Sequence, residues 1–265
     1  MTDLDRDDHG DGDGAAEPLV LLHGVASSRI VWRNVADRLA AGGRRVVAVD
    51  VPGFGGSEAA GPGFALDAVA DRLAEGLGLE RFDLVGHSLG GAVAVAVASR
   101  HPEAVRRLVL VAPAGLAPRA MDVAAVLGWA AELGTEVRRA LGYQWVEHAS
   151  ARWALFATSV ADPAALHPDD ARLLLDASAG ATRIADGVRA ALEADLRDDL
   201  AAAPAPLGFI WGEADRVVPY AGLATLADLR PDAIAETLPR TGHIPQIERP
   251  AEFAAALERI LAALA

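Results

Sequence analysis

Short runs of consecutive apolar residues alternate along this chain with stretches that repeat at helical spacing. Leu19–Leu22 is one such run, and Val46–Val49 follows it after a helical stretch. Uninterrupted apolar runs of this length are typical of strands buried on both faces, and strands separated by helices form βαβ units. The pattern continues at residues 82–85, 108–111, 207–211 and 233–238. The sequence therefore predicts an α/β fold, with a doubly wound, mostly parallel sheet covered by helices on both faces.

The alternation stops over residues 115–203, which show helical patterns and no convincing strand, and it resumes at residue 204. We interpret residues 18–114 and 204–265 as the α/β core and residues 115–203 as an inserted helical cap. Large aromatic side chains are concentrated in this segment, where they either fill its own core or roof a pocket. Four of them are candidate substrate-pocket residues: Trp129, Trp145, Trp153 and Phe156.

The first 17 residues are strongly acidic and contain few large apolar side chains. Such a stretch buries too little apolar surface to offset the entropy of ordering it, so we predict a disordered acidic tail over residues 1–17. It lacks the basic and apolar regions of a signal peptide. The apolar runs elsewhere are far shorter than the roughly 18 residues of a membrane span. We therefore expect a cytoplasmic protein with no membrane partner.

Composition narrows the functional classes further. The chain has no cysteine, which excludes disulfides and thiolate chemistry, and its net charge of −13 argues against binding to nucleic-acid phosphates. Its histidines and carboxylates show no convincing metal-ligand spacing. The glycine-rich stretch at residues 53–56 lacks the final glycine of a dinucleotide-binding loop, since Glu58 stands there. We expect a small-molecule substrate and no metal, cofactor or nucleic-acid partner.

The strongest local motif is Gly-His-Ser-Leu-Gly at residues 86–90, between a predicted strand and a predicted helix. A G-x-S-x-G pattern at a strand–turn–helix junction is typical of a nucleophilic serine raised on a strained turn. The flanking glycines leave the space that such a turn requires. The alternative is a glycine-rich turn with a serine that merely caps the helix.

This segment resembles the nucleophile elbow of the α/β-hydrolase superfamily, and other segments match that superfamily in chain order. His23-Gly24 resembles its oxyanion loop, and the sequence at 50–57 its D-x-P-G-x-G-x-S turn. Residues 211–219 resemble its acid loop, and residues 242–245 its histidine loop. The resemblance covers residues 18–265 and implies an α/β-hydrolase fold. The superfamily's hairpin before the His-Gly strand has no counterpart here, so we expect one or two edge strands to be missing.

The resemblance implies a catalytic triad in the order serine, acid, histidine. Ser88 is then the nucleophile. Asp215 matches the acid position, with Glu213 as a competitor, and His243 is the one histidine that follows Asp215. Two backbone N–H groups form the oxyanion hole of such enzymes. The residue after the nucleophile, Leu89, would supply one of them, and the resemblance suggests Val25 for the other.

We therefore predict a serine hydrolase that cleaves a small, apolar carboxylic ester through an acyl-enzyme. An alternative is hydrolysis of a carbon–carbon bond in a vinylogous diketone, because the acid loop is similar to that of such enzymes. Against it, Ile244 follows His243, where that subfamily often has an aromatic residue. A cofactor-free perhydrolase and acyl transfer to another acceptor share the same triad. A hypothesis of a different class is a non-catalytic ligand sensor on the same fold.

Overall fold

The fold is organised around one twisted sheet. The computed structural model describes residues 4–12, 17–116, 134–218, 220 and 222–265. Its strands are β1 (Arg6–His9), β2 (Leu19–Leu22), β3 (Val46–Val49), β4 (Phe82–His87), β5 (Val105–Val111), β6 (Leu207–Gly212) and β7 (Ile234–Leu238). They form a seven-stranded sheet in the order β1-β3-β2-β4-β5-β6-β7. β1 is antiparallel to β3, and every other neighbouring pair is parallel.

Helices cover both faces of this sheet. They are α1 (Arg33–Ala40), α2 (Leu66–Leu77), α3 (Leu89–Arg100), α4 (described over 134–145), α5 (Ala149–Phe156), α6 (Pro168–Ala177), α7 (Ile184–Glu193), α8 (Arg197–Ala202), α9 (Gly222–Leu229), α10 (Pro245–Glu248) and α11 (Pro250–Ala263), with a 3-10 turn at Arg29–Trp32. None of the helices in the described ranges is long and apolar enough to cross a bilayer.

Two apolar layers hold these elements together. Val20 and Leu22 pack with residues of α2 and α3, whereas Leu19 and Leu21 pack with residues of α1 and α11 on the opposite face. This division arises because successive strand residues point to opposite sides of a sheet. The predicted doubly wound α/β architecture is confirmed. Because parallel strands all end at the same edge, the loops that follow β2, β4 and β6 lie close together.

The acidic start of the chain is more ordered than its composition predicts. The disordered tail expected over residues 1–17 is wrong for residues 6–9, which form β1 on the exposed edge of β3. Arginines from distant positions pair with its carboxylates: Arg29 Nη1 donates to Asp5 Oδ2 at 2.9 Å, and Arg45 Nε to Asp8 Oδ1 at 2.7 Å. Backbone pairing and these ion pairs offset the ordering cost. The edge therefore carries a strand that was predicted to be missing.

Candidate active site

Ser88 lies at the sharp turn between β4 and α3, with φ of +54° and ψ of −118°. Residues with a side chain rarely adopt a positive φ, and strain of this kind is characteristic of a nucleophile held above a parallel sheet. The Ser88 hydroxyl makes no capping hydrogen bond to α3. The geometry thus matches a raised serine better than a helix-capping one.

Two glycines make this turn possible. A Cβ atom on Gly86 would lie 2.3 Å from the carbonyl oxygen of Gly90, and one on Gly90 would lie 2.4 Å from the carbonyl oxygen of His23. Both distances are well below van der Waals contact. The loop after β2 also packs closely against the turn, because a Cβ atom on Gly24 would lie 3.0 Å from the Cβ atom of Ser88. A side chain at any of these three positions would clash with the serine turn or with the loop after β2.

Asp215 and His243 are brought together at the same edge of the sheet, from the loops that follow β6 and β7. Oδ2 of Asp215 lies 2.8 Å from Nδ1 of His243. Oδ1 of Asp215 accepts the backbone N–H groups of Val217 and Val218, at 2.8 and 3.0 Å. The carboxylate is fully buried. An imidazole held this way carries its proton on Nδ1 and keeps Nε2 available for proton transfer.

Glu213, the competing acid, is not part of this arrangement. It is exposed, and its carboxylate accepts a hydrogen bond from Thr237 Oγ1 at 3.4 Å. It lies only two positions before Asp215, but the turn after β6 directs the two side chains differently. Of the two candidates, the structure places Asp215 against the imidazole.

Ser88 and His243 line one cavity of about 890 Å³, and Val25 lines it as well. Leu89 is the first residue of α3, so its N–H has no acceptor within the helix. Within the described ranges, the hydroxyl of Ser88 and the imidazole of His243 are not joined by a hydrogen bond. Hydrogen bonds of this kind commonly tighten only when substrate is bound. Val25, Ser88 and His243 therefore share a cavity; Leu89 follows Ser88 in the chain, and Asp215 contacts His243.

Two further histidines next to this cavity are buried and held in one tautomer. Nε2 of His23 accepts the N–H of Val51 at 3.0 Å, and Nδ1 of His23 lies 2.8 Å from the carbonyl oxygen of Gly24. Nε2 of His87 donates to the carbonyl oxygen of His243 at 2.7 Å. Burial lowers the pKa of both His23 and His87, the latter well below its ordinary value. These two neutral histidines hold the surrounding loops.

The aromatic residues proposed to line the pocket are only partly found there. Phe156 is buried and lines the cavity. Trp145 and Trp153 are 53% and 60% exposed and lie outside the lining, so their assignment to the pocket is wrong. Helical spacing does not show which face of an inserted helix turns inward, and on α5 that face carries Phe156. Trp129 lies outside the described residues.

Sequence reasoning missed Glu248, a half-buried carboxylate that accepts backbone N–H groups on either side of His243. Its oxygens accept the backbone N–H groups of Ala161 at 2.8 Å, Gly242 at 3.0 Å and Ile244 at 3.3 Å. Burial raises the pKa of Glu248 above its usual range. The N–H of His243 itself donates to the carbonyl oxygen of Ser159 at 2.9 Å. The loop that carries the imidazole is thus attached to residues 159–161. The available signal was an acidic residue five positions after His243.

We expect Glu248→Gln to lower kcat by about 10²-fold, because its amide N–H would face backbone N–H donors and shift the His243 loop. Loss of a nearby negative charge also makes an imidazolium less favourable, so the acid limb of the pH–rate profile should move to lower pH. Steady-state kinetics across pH measure both effects. The control is Glu252→Gln, an exposed residue paired with Arg249. An unchanged pH profile in Glu248→Gln would contradict a positioning role.

The described part of the chain contains no group of three or more histidine, aspartate or glutamate side chains that could hold a metal ion. Ser88, His243 and Asp215 contribute a hydroxyl, an imidazole and a carboxylate to this part of the protein.

A family model described as alpha/beta hydrolase fold matches residues 17–250. The chain belongs to the α/β-hydrolase family. The resemblance carried by the motif residues is thereby confirmed. This α/β-hydrolase is an enzyme of the hydrolase class, since its similar curated relatives are hydrolases as well.

Two relatives show how far the similarity extends. A 2-hydroxymuconate semialdehyde hydrolase of Pseudomonas sp. (strain CF600) is 34% identical over 259 residues, covering 94% of this α/β-hydrolase and 88% of the relative. A pimeloyl-(acyl-carrier protein) methyl ester esterase of Aeromonas hydrophila subsp. hydrophila is 30% identical over 264 residues, covering 94% and 96%. The crystal structure of the enol-lactonase from Burkholderia xenovorans LB400 superimposes with a TM-score of 0.77 at 23% identity, covering 98% and 97%, which concerns the fold alone.

Proposed function

We propose that this α/β-hydrolase cleaves a small carboxylic ester through an acyl-enzyme, with Ser88, Asp215 and His243 as its catalytic triad. The observation that carries the proposal is the 2.8 Å contact between Asp215 Oδ2 and His243 Nδ1. It gains weight because that imidazole and the strained Ser88 line the same cavity. A binding protein has no need of a buried carboxylate that orients an imidazole next to a raised serine.

Each residue has one task in the proposed mechanism. Oγ of Ser88 bonds to the ester carbonyl carbon while Nε2 of His243 takes the hydroxyl proton, and Asp215 stabilises the imidazolium. The backbone N–H groups of Val25 and Leu89 donate to the oxyanion. The intermediate then expels the alcohol, which receives the proton from His243. Water attacks the acyl-enzyme by the same route, releasing the carboxylic acid and restoring Ser88.

We further propose that residues 115–203 form a cap over a core made of residues 18–114 and 204–265. Support comes from the cavity, because its lining comes from both parts: Phe156 and Ile184 from the segment between β5 and β6, and Ser88 and His243 from the core. Much of the lining is aliphatic or aromatic, which suits an apolar acyl chain. The absence of cysteine, and with it of any disulfide, supports a cytoplasmic location.

A fluorophosphonate probe and a panel of activated esters test the function together. We expect the probe to label one peptide, the one that contains Ser88, and the wild-type enzyme to hydrolyse the esters. Ser99→Ala is the matched control, since Ser99 lies at the exposed end of the same helix. Labelling should persist in Ser99→Ala and disappear in Ser88→Ala. A wild-type enzyme that resists the probe would refute an activated serine and favour a ligand sensor.

Cleavage of a carbon–carbon bond in a vinylogous diketone is a second candidate. The favouring observation is the 34% identity to a relative named as a 2-hydroxymuconate semialdehyde hydrolase. The proposed triad serves either reaction, so the probe alone does not separate them. Parallel assays with an ester and with a dienoate diketone do. Faster turnover of the diketone would reassign this enzyme to carbon–carbon hydrolysis.

A further inference from the structure

The cavity that contains Ser88 has a positively charged side chain in its wall. Arg138, on α4, lines the cavity and is half-buried. Its Nη2 donates to Thr135 Oγ1 at 3.3 Å, a long contact for a charged donor. Burial lowers the pKa of Arg138, with no contribution from a nearby carboxylate. Among the residues that the structure describes, no acidic side chain pairs with this guanidinium.

Three arginines that are more deeply buried than Arg138 show how a structural guanidinium is satisfied in this protein. Arg107 donates to both carboxylate oxygens of Asp83. Arg152 donates to three backbone carbonyls, and Arg230 combines a carboxylate with three carbonyls. Buried charges are normally satisfied in this way because leaving them unpaired is costly. Arg138 departs from that pattern, and it does so at the wall of the candidate active site.

The charged side chains of the cavity lining also favour a negatively charged ligand. The chain carries 37 aspartates and glutamates and a net charge of −13. Within the described ranges, however, the lining contains no acidic side chain, and Arg138 is its single arginine or lysine. A lone cation in a largely apolar wall interacts strongly with an anion, because the surroundings screen it poorly. One guanidinium matches the single charge of a carboxylate, which it binds through two parallel N–H groups.

A second side chain of the lining is also unsatisfied. Gln246, on α10, is 0% exposed, and neither Oε1 nor Nε2 of its amide has a hydrogen-bond partner within the described ranges. A buried amide without partners is destabilising, because it has given up its hydrogen bonds to water. A ligand would reach this amide only after the side chain turns, because none of its surface is exposed to the cavity. The case for a charged group on the ligand therefore rests on Arg138, which lines the cavity and is half-buried.

We infer that the substrate is an ester whose acyl chain ends in a carboxylate, a half-ester of a small dicarboxylic acid, and that Arg138 binds this carboxylate. The inference rests on the proposed ester hydrolysis. Aliphatic lining residues such as Leu155 and Val188 would contact the methylene chain, and Arg138 would hold its far end while the ester reacts at Ser88. Arg138 thereby acts as a specificity-determining residue for a substrate with one negative charge.

The test compares p-nitrophenyl hexanoate with mono-p-nitrophenyl adipate, two esters of equal chain length that differ in the terminal carboxylate. We expect the wild-type enzyme to favour the adipate ester in kcat/KM by at least about 30-fold, the equivalent of one desolvated charge pair. Arg138→Met should abolish this preference mainly by raising KM for the adipate ester, and Arg138→Lys should keep part of it. Arg139→Met is the matched control, because this neighbouring arginine pairs with Glu136.

Each outcome separates the two proposals. Equal hydrolysis of both esters by the wild-type enzyme, or a preference that survives in Arg138→Met, overturns the role of Arg138 and leaves ester hydrolysis intact. If neither ester is hydrolysed, ester hydrolysis itself fails. Calorimetric titration with monomethyl adipate then decides the binding role, since binding must weaken in Arg138→Met and persist in Arg139→Met. Thermal melting of each variant shows that it is folded.

Discussion

Replacing Ser88 with alanine is expected to lower kcat for ester hydrolysis by at least about 10³-fold. The hydroxyl is the group that bonds to the carbonyl carbon, and alanine leaves water as the only attacking group. The fold should be little affected, because the hydroxyl makes no capping hydrogen bond and alanine has the same Cβ atom at the same positive φ. Steady-state kinetics with a p-nitrophenyl ester, together with thermal melting, measure the two properties.

Ser99→Ala provides the comparison for this experiment. It removes a hydroxyl from the same helix at its exposed end and should keep wild-type kcat. A Ser88→Ala enzyme with kcat within tenfold of the wild-type value would be incompatible with a covalent acyl-enzyme at Ser88. Trapping of the acyl group in the wild-type enzyme, detected as a mass increase on the Ser88 peptide, would give direct support.

Asp215→Asn is expected to lower kcat by about 10⁴-fold while the loop keeps its conformation. Oδ1 of asparagine can still accept the N–H groups of Val217 and Val218. The other side of the amide, however, presents N–H₂ to Nδ1 of His243. The imidazole then protonates on Nε2, so it can no longer accept the proton of Ser88. The measurement is kcat at the pH optimum of the wild-type enzyme.

Glu213→Gln is the paired control for this variant. Glu213 lies two residues away, is exposed and has no contact with the imidazole. We expect its replacement to change kcat by less than about twofold, in the range of surface substitutions remote from a site. A large loss in Glu213→Gln combined with a small loss in Asp215→Asn would transfer the role of the acid to Glu213.

Much of the sheet could be predicted because each of its parallel strands has a recognisable pattern within its own residues. Each buried parallel strand is an uninterrupted apolar run, and the helices between them repeat at helical spacing. The family and the fold followed from short motifs such as the glycine-flanked Ser88. The need for glycine at position 86 is local too, since a Cβ atom there would meet the carbonyl oxygen of Gly90 in the same turn. Features that depend on neighbours close in sequence were therefore accessible without coordinates.

Other features depend on neighbours that are remote in sequence. β1 was missed because its carboxylates, taken alone, repel one another, whereas Arg29 and Arg45 approach them only in the folded chain. Trp145 was assigned to the pocket because composition does not reveal which face of α4 turns inward. The same limit applies to Arg138. Its type and position were visible, but a guanidinium without a carboxylate partner is a property of three-dimensional packing.

The edge strand β1 has a practical consequence for anyone who shortens this enzyme. A variant that lacks the residues up to His9 would leave β3 with a row of unpaired N–H and C=O groups along one side. Such a row is a template for strands of other molecules, and it promotes self-association. The strand at residues 6–9 thus protects the edge of β3 from self-association. We expect a variant that begins after His9 to aggregate more readily than the full chain.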